Sequence, residues 1–200
     1  MKKCSCLLLL LMTACASWLP VGGSYESPSH RFTVVLPEKW MKLKAEQDLL
    51  LSKDGPFLQY VLIQERPIDK PFGHTRKILR RGMLAHEAAQ LIVDEISSDR
   101  SVYEFRVIQN RPARIHGHNG FELLFTHKNR DGLSFKTRYC GVIAGDWFYA
   151  VRYSATERYY FEKDIHTFEN ILSSFELREE RRKEDRTAKS AENAETILCN

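Results

Sequence analysis

The stretch ARIHGHNGFELLFTHKNRDGLSFKTRYCGVIAGDWFYAVRYS, residues 113–154, decides the fold. It is punctuated by Asn119-Gly120, Asp131-Gly132 and Gly145-Asp146, dipeptides that accept the positive φ of tight hairpin turns, each between apolar or alternating runs. The spacing predicts four successive antiparallel strands: Ala113 to His118, Phe121 to Lys128, Leu133 to Ala144 and Trp147 to Ser154. A further strand over Val102 to Gln109 precedes them. Closing the first hairpin on Asn119-Gly120 sets His116 opposite Leu123 and His118 opposite Phe121, and period-two alternation puts His127 on that same face. The same register lays Cys140 between Leu123 and Val151, the setting of a small buried thiol rather than of a nucleophile.

Downstream of Ser154 the period changes. Phe161, Ile165, Phe168, Leu172 and Phe175 form one apolar stripe of a helix, and the strand meander is the surface for it to cover. Upstream, Met83 to Ser97 repeats Leu84, Ala88, Leu91, Ile92 and Ile96 at helical spacing. Leu49 to Ser52 and Phe57 to Gln64 flank Lys53-Asp54-Gly55-Pro56 and read as a hairpin. Phe32 to Leu36 is a strand stopped by Pro37, and Trp40 to Leu43 a second short one. Residues Arg66 to Gly82 lack periodicity and read as a long loop. The expected architecture is a single α/β (α+β) domain, a largely antiparallel sheet of about five to seven strands sandwiched by helices.

The ends give an address. Lys2 and Lys3, the apolar run Leu7 to Leu11 and the small pair Thr13-Ala14 form an export signal too short to span a bilayer. Met12-Thr13-Ala14-Cys15 resembles the bacterial lipoprotein signal, whose cysteine carries the lipid, palmitate included, and becomes the first mature residue. Ala14-Cys15-Ala16 also fits the small-x-small cleavage site of an ordinary secretory signal. Ala16 replaces the aspartate that commonly retains lipoproteins at an inner membrane, so the expected site is the outer membrane facing the periplasm. The chain thus divides into a signal peptide at 1–14, a lipid-anchored tether at 15–24, a globular domain at 25–177 and a charged tail at 178–200.

The charge balance excludes one class of function. Of 200 residues, 30 are Lys or Arg and 26 Asp or Glu. Loss of Lys2 and Lys3 with the signal leaves too small an excess to predict nucleic-acid binding. Of five cysteines, Cys4 and Cys6 lie in the signal and Cys15 is the lipid site, which leaves Cys140 and Cys199 and excludes a disulfide framework.

Phe32-Thr-Val-Val-Leu-Pro37 with Trp40, a helix, the meander containing Gly145-Asp-Trp-Phe-Tyr149 and a closing helix ending Leu172-Ser-Ser-Phe175 together resemble PsbP-like proteins over about Tyr25 to Leu177. That family includes a thylakoid photosystem subunit, a fungal Ran-binding relative and many bacterial lipoproteins. The resemblance implies an antiparallel sheet between helices and accessory or binding roles more than catalysis.

Motifs for chemistry are missing from the residues themselves. There is no Gly-x-Ser-x-Gly elbow, phosphate loop or Cys-x-x-Cys, and His86-Glu87 lacks the second histidine of a zinc helix. His127 lies ~13 Å along its strand from the neighbourhood of His116, whereas zinc-nitrogen bonds are ~2.1 Å, so His116, His118 and His127 cannot all share one ion, and His116 with His118 alone would bind a metal only weakly. No cofactor or metal is expected. The one charge feature is Arg66, Lys70, Arg76, Lys77, Arg80 and Arg81 against the single acid Asp69. These cations suit an acidic protein patch, lipid headgroups or a polysaccharide, or else a solvated loop. The expected function is a non-catalytic, lipid-anchored envelope accessory protein that binds another protein. The alternative is a carrier of a small hydrophobic ligand or lipid in a pocket between the sheet and the helix of Glu157 to Phe175.

Overall fold

The computed structural model describes residues 18–44 and 48–178. The signal, Cys15, Cys199 and the tail beyond 178 lie outside the described residues. The chain runs β1 (Trp18–Glu26), β2 (Phe32–Leu43), β3 (Leu49–Ser52), β4 (Gln59–Pro67), α1 (Ala85–Ser97), β5 (Tyr103–Ile115), β6 (His118–Lys128), β7 (Ser134–Ala144), β8 (Trp147–Thr156), α2 (Tyr160–Ser173) and β9 (Glu176–Leu177). The strands form one antiparallel sheet in the order β1-β2-β3-β4-β8-β7-β6-β5, with β9 beside the start of β2. Nine strands are seen among the described residues, more than the sequence predicts.

The two helices cover opposite faces. On β8, Tyr149, Val151 and Tyr153 join the core beneath α2, while Phe148 and Ala150 join the core beneath α1. A central strand covered on both faces reads as a continuous apolar run, as Trp147 to Val151 does. Phe161 and Phe168 of the α2 stripe are buried, as is Phe175 just beyond its end, and Ile165 and Leu172 pack at the margin. The Tyr153 ring stacks on Phe168 at 5.7 Å, and its hydroxyl donates to the Tyr160 carbonyl at 2.6 Å. Each such fully buried side chain contributes about 2 kcal/mol relative to exposure. On the other face α1 seats Ala88, Ala89 and Ile92 over Phe121, Leu123 and Phe125.

Five expectations are corrected. Residues 18–24 of the expected tether belong to strand β1. The glycines that suggest a flexible segment serve a register shift: Val21 faces Trp40 but Gly23 (φ 76) faces Leu36. That irregularity also explains why Pro37 does not end β2, because the missing N–H falls where the ladder is already broken.

Likewise the two strands expected over Val102 to Gln109 and Ala113 to His118 are replaced by one, β5, which runs unbroken from Tyr103 to Ile115. It is an edge strand, where Pro112 is tolerated.

The first hairpin turns at His116-Gly117, with φ 45 and 79, and pairs Ile115 with His118. Asn119-Gly120 is strand instead. His116 is therefore a turn residue, and His118 shares with Ile115 the α2 side of the sheet, opposite to His127.

Finally, Cys140 lies between Glu122 and Val151, not Leu123 and Val151, and is buried. Among the described residues no three metal-ligating side chains converge, and no helix is long and apolar enough to cross a membrane.

Candidate functional site

The basic segment is an ordered loop built without regular secondary structure. It is closed at its base by the Ile68 amide donating to the Asp146 carbonyl at 3.1 Å and by the Leu79 amide donating to the Ile68 carbonyl at 3.0 Å. Nearer the tip, the Phe72 amide donates to the Lys77 carbonyl at 2.9 Å. Ile68, Phe72 and Leu79 are driven into the core beside α1. The tip is held by Glu95 of α1, which accepts from the amides of His74 and Thr75, both at 2.9 Å, and from the Thr75 hydroxyl at 2.8 Å. Burial pushes the Glu95 carboxyl up, but these hydrogen bonds and the nearby His74 together bring it below the usual carboxylate range.

The six expected partner-binding cations divide. Arg66 ends β4, lies over the Phe72 ring at 3.9 Å and donates to the Lys70 carbonyl, and burial lowers its pKa. It is a structural residue. Lys77 pairs with Asp94 at 2.7 Å, and Arg81 pairs with Asp146, its Nε at 3.1 Å from Oδ1. Lys70, Arg76 and Arg80 are exposed and form no ion pair among the described residues. Arg76 stands at the tip with φ 59, a left-handed conformation that costs a non-glycine residue about 1–2 kcal/mol and that the Glu95 clamp helps to sustain. Ile78 and Leu84 are exposed apolar side chains of the same segment.

The pocket expected between the sheet and α2 is filled by Phe161, Phe168 and Ile171 packed with Val151 and Tyr153. A groove of about 580 Å³ lies instead on the α1 side of the sheet, past the end of that helix. Its floor is a row across four strands: Tyr60 of β4, Arg152 of β8, Thr137 of β7 and His127 of β6. Sequence reasoning missed it, because no two of these residues are close in the chain and only the strand order brings them together. The discernible signal was polar side chains interrupting apolar faces at strand ends.

Cys140 lies buried in the sheet. Burial first, and the Glu122 carboxylate second, push its thiol up to about 12.

No family model matches the chain, and no curated protein matches it significantly in sequence. Solved structures do. Cyanobacterial PsbP from Synechocystis aligns over 89% of this chain and 99% of its own, with TM-score 0.56 and 12% identity. The Ran-binding protein Mog1 of Saccharomyces cerevisiae aligns over 80% and 96%, with TM-score 0.53 and 9% identity. LpqN of Mycobacterium tuberculosis, involved in cell envelope biogenesis, aligns over 80% and 90%, with TM-score 0.51 and 10% identity. The chain spans about half, 49%, of a longer Bacteroides thetaiotaomicron structure, which it matches at TM-score 0.51 and 11% identity over 80% of its own length. The architecture is therefore that of a PsbP-like α+β protein. At these identities the likeness establishes the fold, and the chemistry has to come from this chain's own residues.

Proposed function

We propose that this protein is a non-catalytic accessory module of the cell envelope, held to a membrane by a lipid on Cys15, that binds an acidic surface of a partner protein through the loop between β4 and α1. The observation that carries the reading is the division of the loop's cations. Internal acids neutralise Lys77 and Arg81, while a rigid frame presents Lys70, Arg76 and Arg80 to solvent with no ion pair among the described residues. A preordered loop loses little entropy on docking, and unpaired cations steer encounter with an acidic patch. The lipid tether would concentrate the module near its partner. The reading is supported by two proteins of this fold, LpqN, involved in cell envelope biogenesis, and the Ran-binding protein Mog1.

In-cell photocrosslinking from Ile78, with mass spectrometry of the adducts, tests the reading. One dominant protein adduct, abolished by Lys70→Glu, Arg76→Glu and Arg80→Glu together, is the expected result. Diffuse lipid or background adducts indifferent to charge reversal would overturn it. For the anchor, Cys15→Ser should abolish palmitate labelling and move the protein to the soluble fraction. Palmitate retained in that variant would refute the lipid site.

A further inference from the structure

The geometry points to a second, independent site: we propose that the groove past the end of α1 binds a small organic anion, a carboxylate carried on an apolar body, with Arg152 as its anchor. The volume of about 580 Å³ suits a ligand of that size. Arg152 projects from the middle of the sheet, half-buried, its guanidinium 5.3 Å from the Tyr60 ring centre. Its Nε is buried without an acceptor, and neither terminal nitrogen has a hydrogen bond or ion pair among the described residues. A half-buried cation left without a counter-charge is costly, and a bound carboxylate would supply two acceptors in the fork geometry that a guanidinium matches.

The acids around the groove already accept hydrogen bonds, whereas its second arginine, Arg130, is exposed at the rim, where any anion it draws stays solvated. Glu95 is occupied by the loop tip. Asp99 accepts from the Ser101 amide and hydroxyl and faces His74 at 3.6 Å. Asp131 accepts from Asn129. Asp48, which shares the adjoining hollow with Arg152, accepts from Gln64 at 2.6 Å. Glu95, Asp99 and Asp131 disfavour an anion beside α1 and leave the Arg152 end of the floor, where the Asp48 carboxylate in the adjoining hollow is held by Gln64. On that floor His127 stacks on Phe135 at 5.5 Å with its Nδ1 unpartnered, while burial first and the Arg152 charge second depress its pKa. Both favour the neutral imidazole, able to hydrogen-bond a ligand without adding a second full charge. Tyr60, Phe125, Ile96 and Val102 offer apolar surface for the body of the ligand. The floor stands on four adjacent strands, so its groups are fixed before any ligand arrives.

Octanoate and octanol, which share a chain and differ in charge, are the probes, titrated into the purified full chain with amide chemical shifts as the readout. Octanoate should give saturable shifts at Tyr60, His127, Thr137 and Arg152, and octanol should bind at least tenfold more weakly. Arg152→Gln should weaken octanoate at least tenfold, with partial recovery in Arg152→Lys. Equal binding of octanoate and octanol, or octanoate shifts confined to the β4–α1 loop, would overturn the proposal. Inorganic phosphate binding as tightly as octanoate would overturn the apolar half of it. The octanoate and octanol comparison on the unmodified chain decides the matter even if Arg152→Gln fails to fold.

Discussion

Thr75 meets Glu95 twice, its amide at 2.9 Å and its hydroxyl at 2.8 Å from the same carboxylate oxygen. With the His74 amide on the other oxygen, this contact fixes the tip of an otherwise irregular loop to α1. Charge-assisted hydrogen bonds of this kind are worth more than neutral ones, so Glu95→Ala should cost about 2 kcal/mol and speed amide exchange at His74 and Thr75 while leaving the sheet protected. Because the folded-state pKa is depressed, the contribution is present above the ordinary glutamate value of about 4.3 and is lost as pH falls through the lower folded value. Unchanged exchange at the tip in Glu95→Ala would show that the buried Phe72 and Leu79 hold the loop unaided.

Glu122 is buried on the α2 side of the sheet, with Arg111 Nη2 at 2.8 Å on one oxygen and Arg138 Nη2 at 3.0 Å on the other. The Arg111 side chain is 52% exposed and that of Arg138 18%, and Arg138 also reaches Glu169 of α2 at 2.9 Å. Arg138→Met should therefore cost about 3 kcal/mol by leaving the buried carboxylate only the more exposed Arg111, and Arg111→Met only about 1 kcal/mol. Urea denaturation midpoints of the two variants provide the comparison. Equal losses would mean that Glu122 is better solvated than its burial indicates.

The Cys140 thiol, held up to about 12 by burial and by Glu122, keeps its proton where the unfolded chain would release it near pH ~8.5. The folded state then binds more protons than the unfolded one, so stability should fall as pH rises from about 8.5 toward 12. Cys140→Ser should flatten part of that decline. At pH 8 a thiol-specific reagent followed by peptide mapping should leave Cys140 unmodified in the native protein and label it in denaturant. Rapid native labelling would contradict its burial.

The elements legible in the sequence were those with strong local period: α1, α2 with its Phe161 and Phe168 stripe, and the strands β6 to β8. What escaped depended on distant partners. β1 carries a proline, two adjacent glycines and a serine and resembles a linker until it pairs with β2. Pro37 looks like a stop until the break in the β1–β2 register is seen. The candidate loop was found by charge, but charge alone cannot separate Arg66, spent on Phe72, from Arg76 or Arg80. The Arg152 groove needs the order β4-β8-β7-β6, which no local pattern encodes.

The hairpin between β5 and β6 shows how a strong local signal loses to packing. Asn119-Gly120 is the better turn dipeptide, yet the chain turns at His116 (φ 45) and Gly117 (φ 79), where both central residues take the left-handed conformation of a type I′ turn. Gly120 is needed inside the sheet. A Cβ there would run into the Gly141 carbonyl oxygen, with Ile115 Cδ1 and Val142 Cβ each at 3.2 Å. A Cβ on Gly117 meets nothing within 4 Å and suffers only the backbone penalty. Gly117→Ala should accordingly cost about 1 kcal/mol and Gly120→Ala about 3 kcal/mol, while His116→Asn, better suited to positive φ, should stabilise by about 0.5 kcal/mol. Urea denaturation of the three variants tests the assignment. A Gly117→Ala loss exceeding that of Gly120→Ala would return the turn's importance to local geometry over the close approach of β6 and β7.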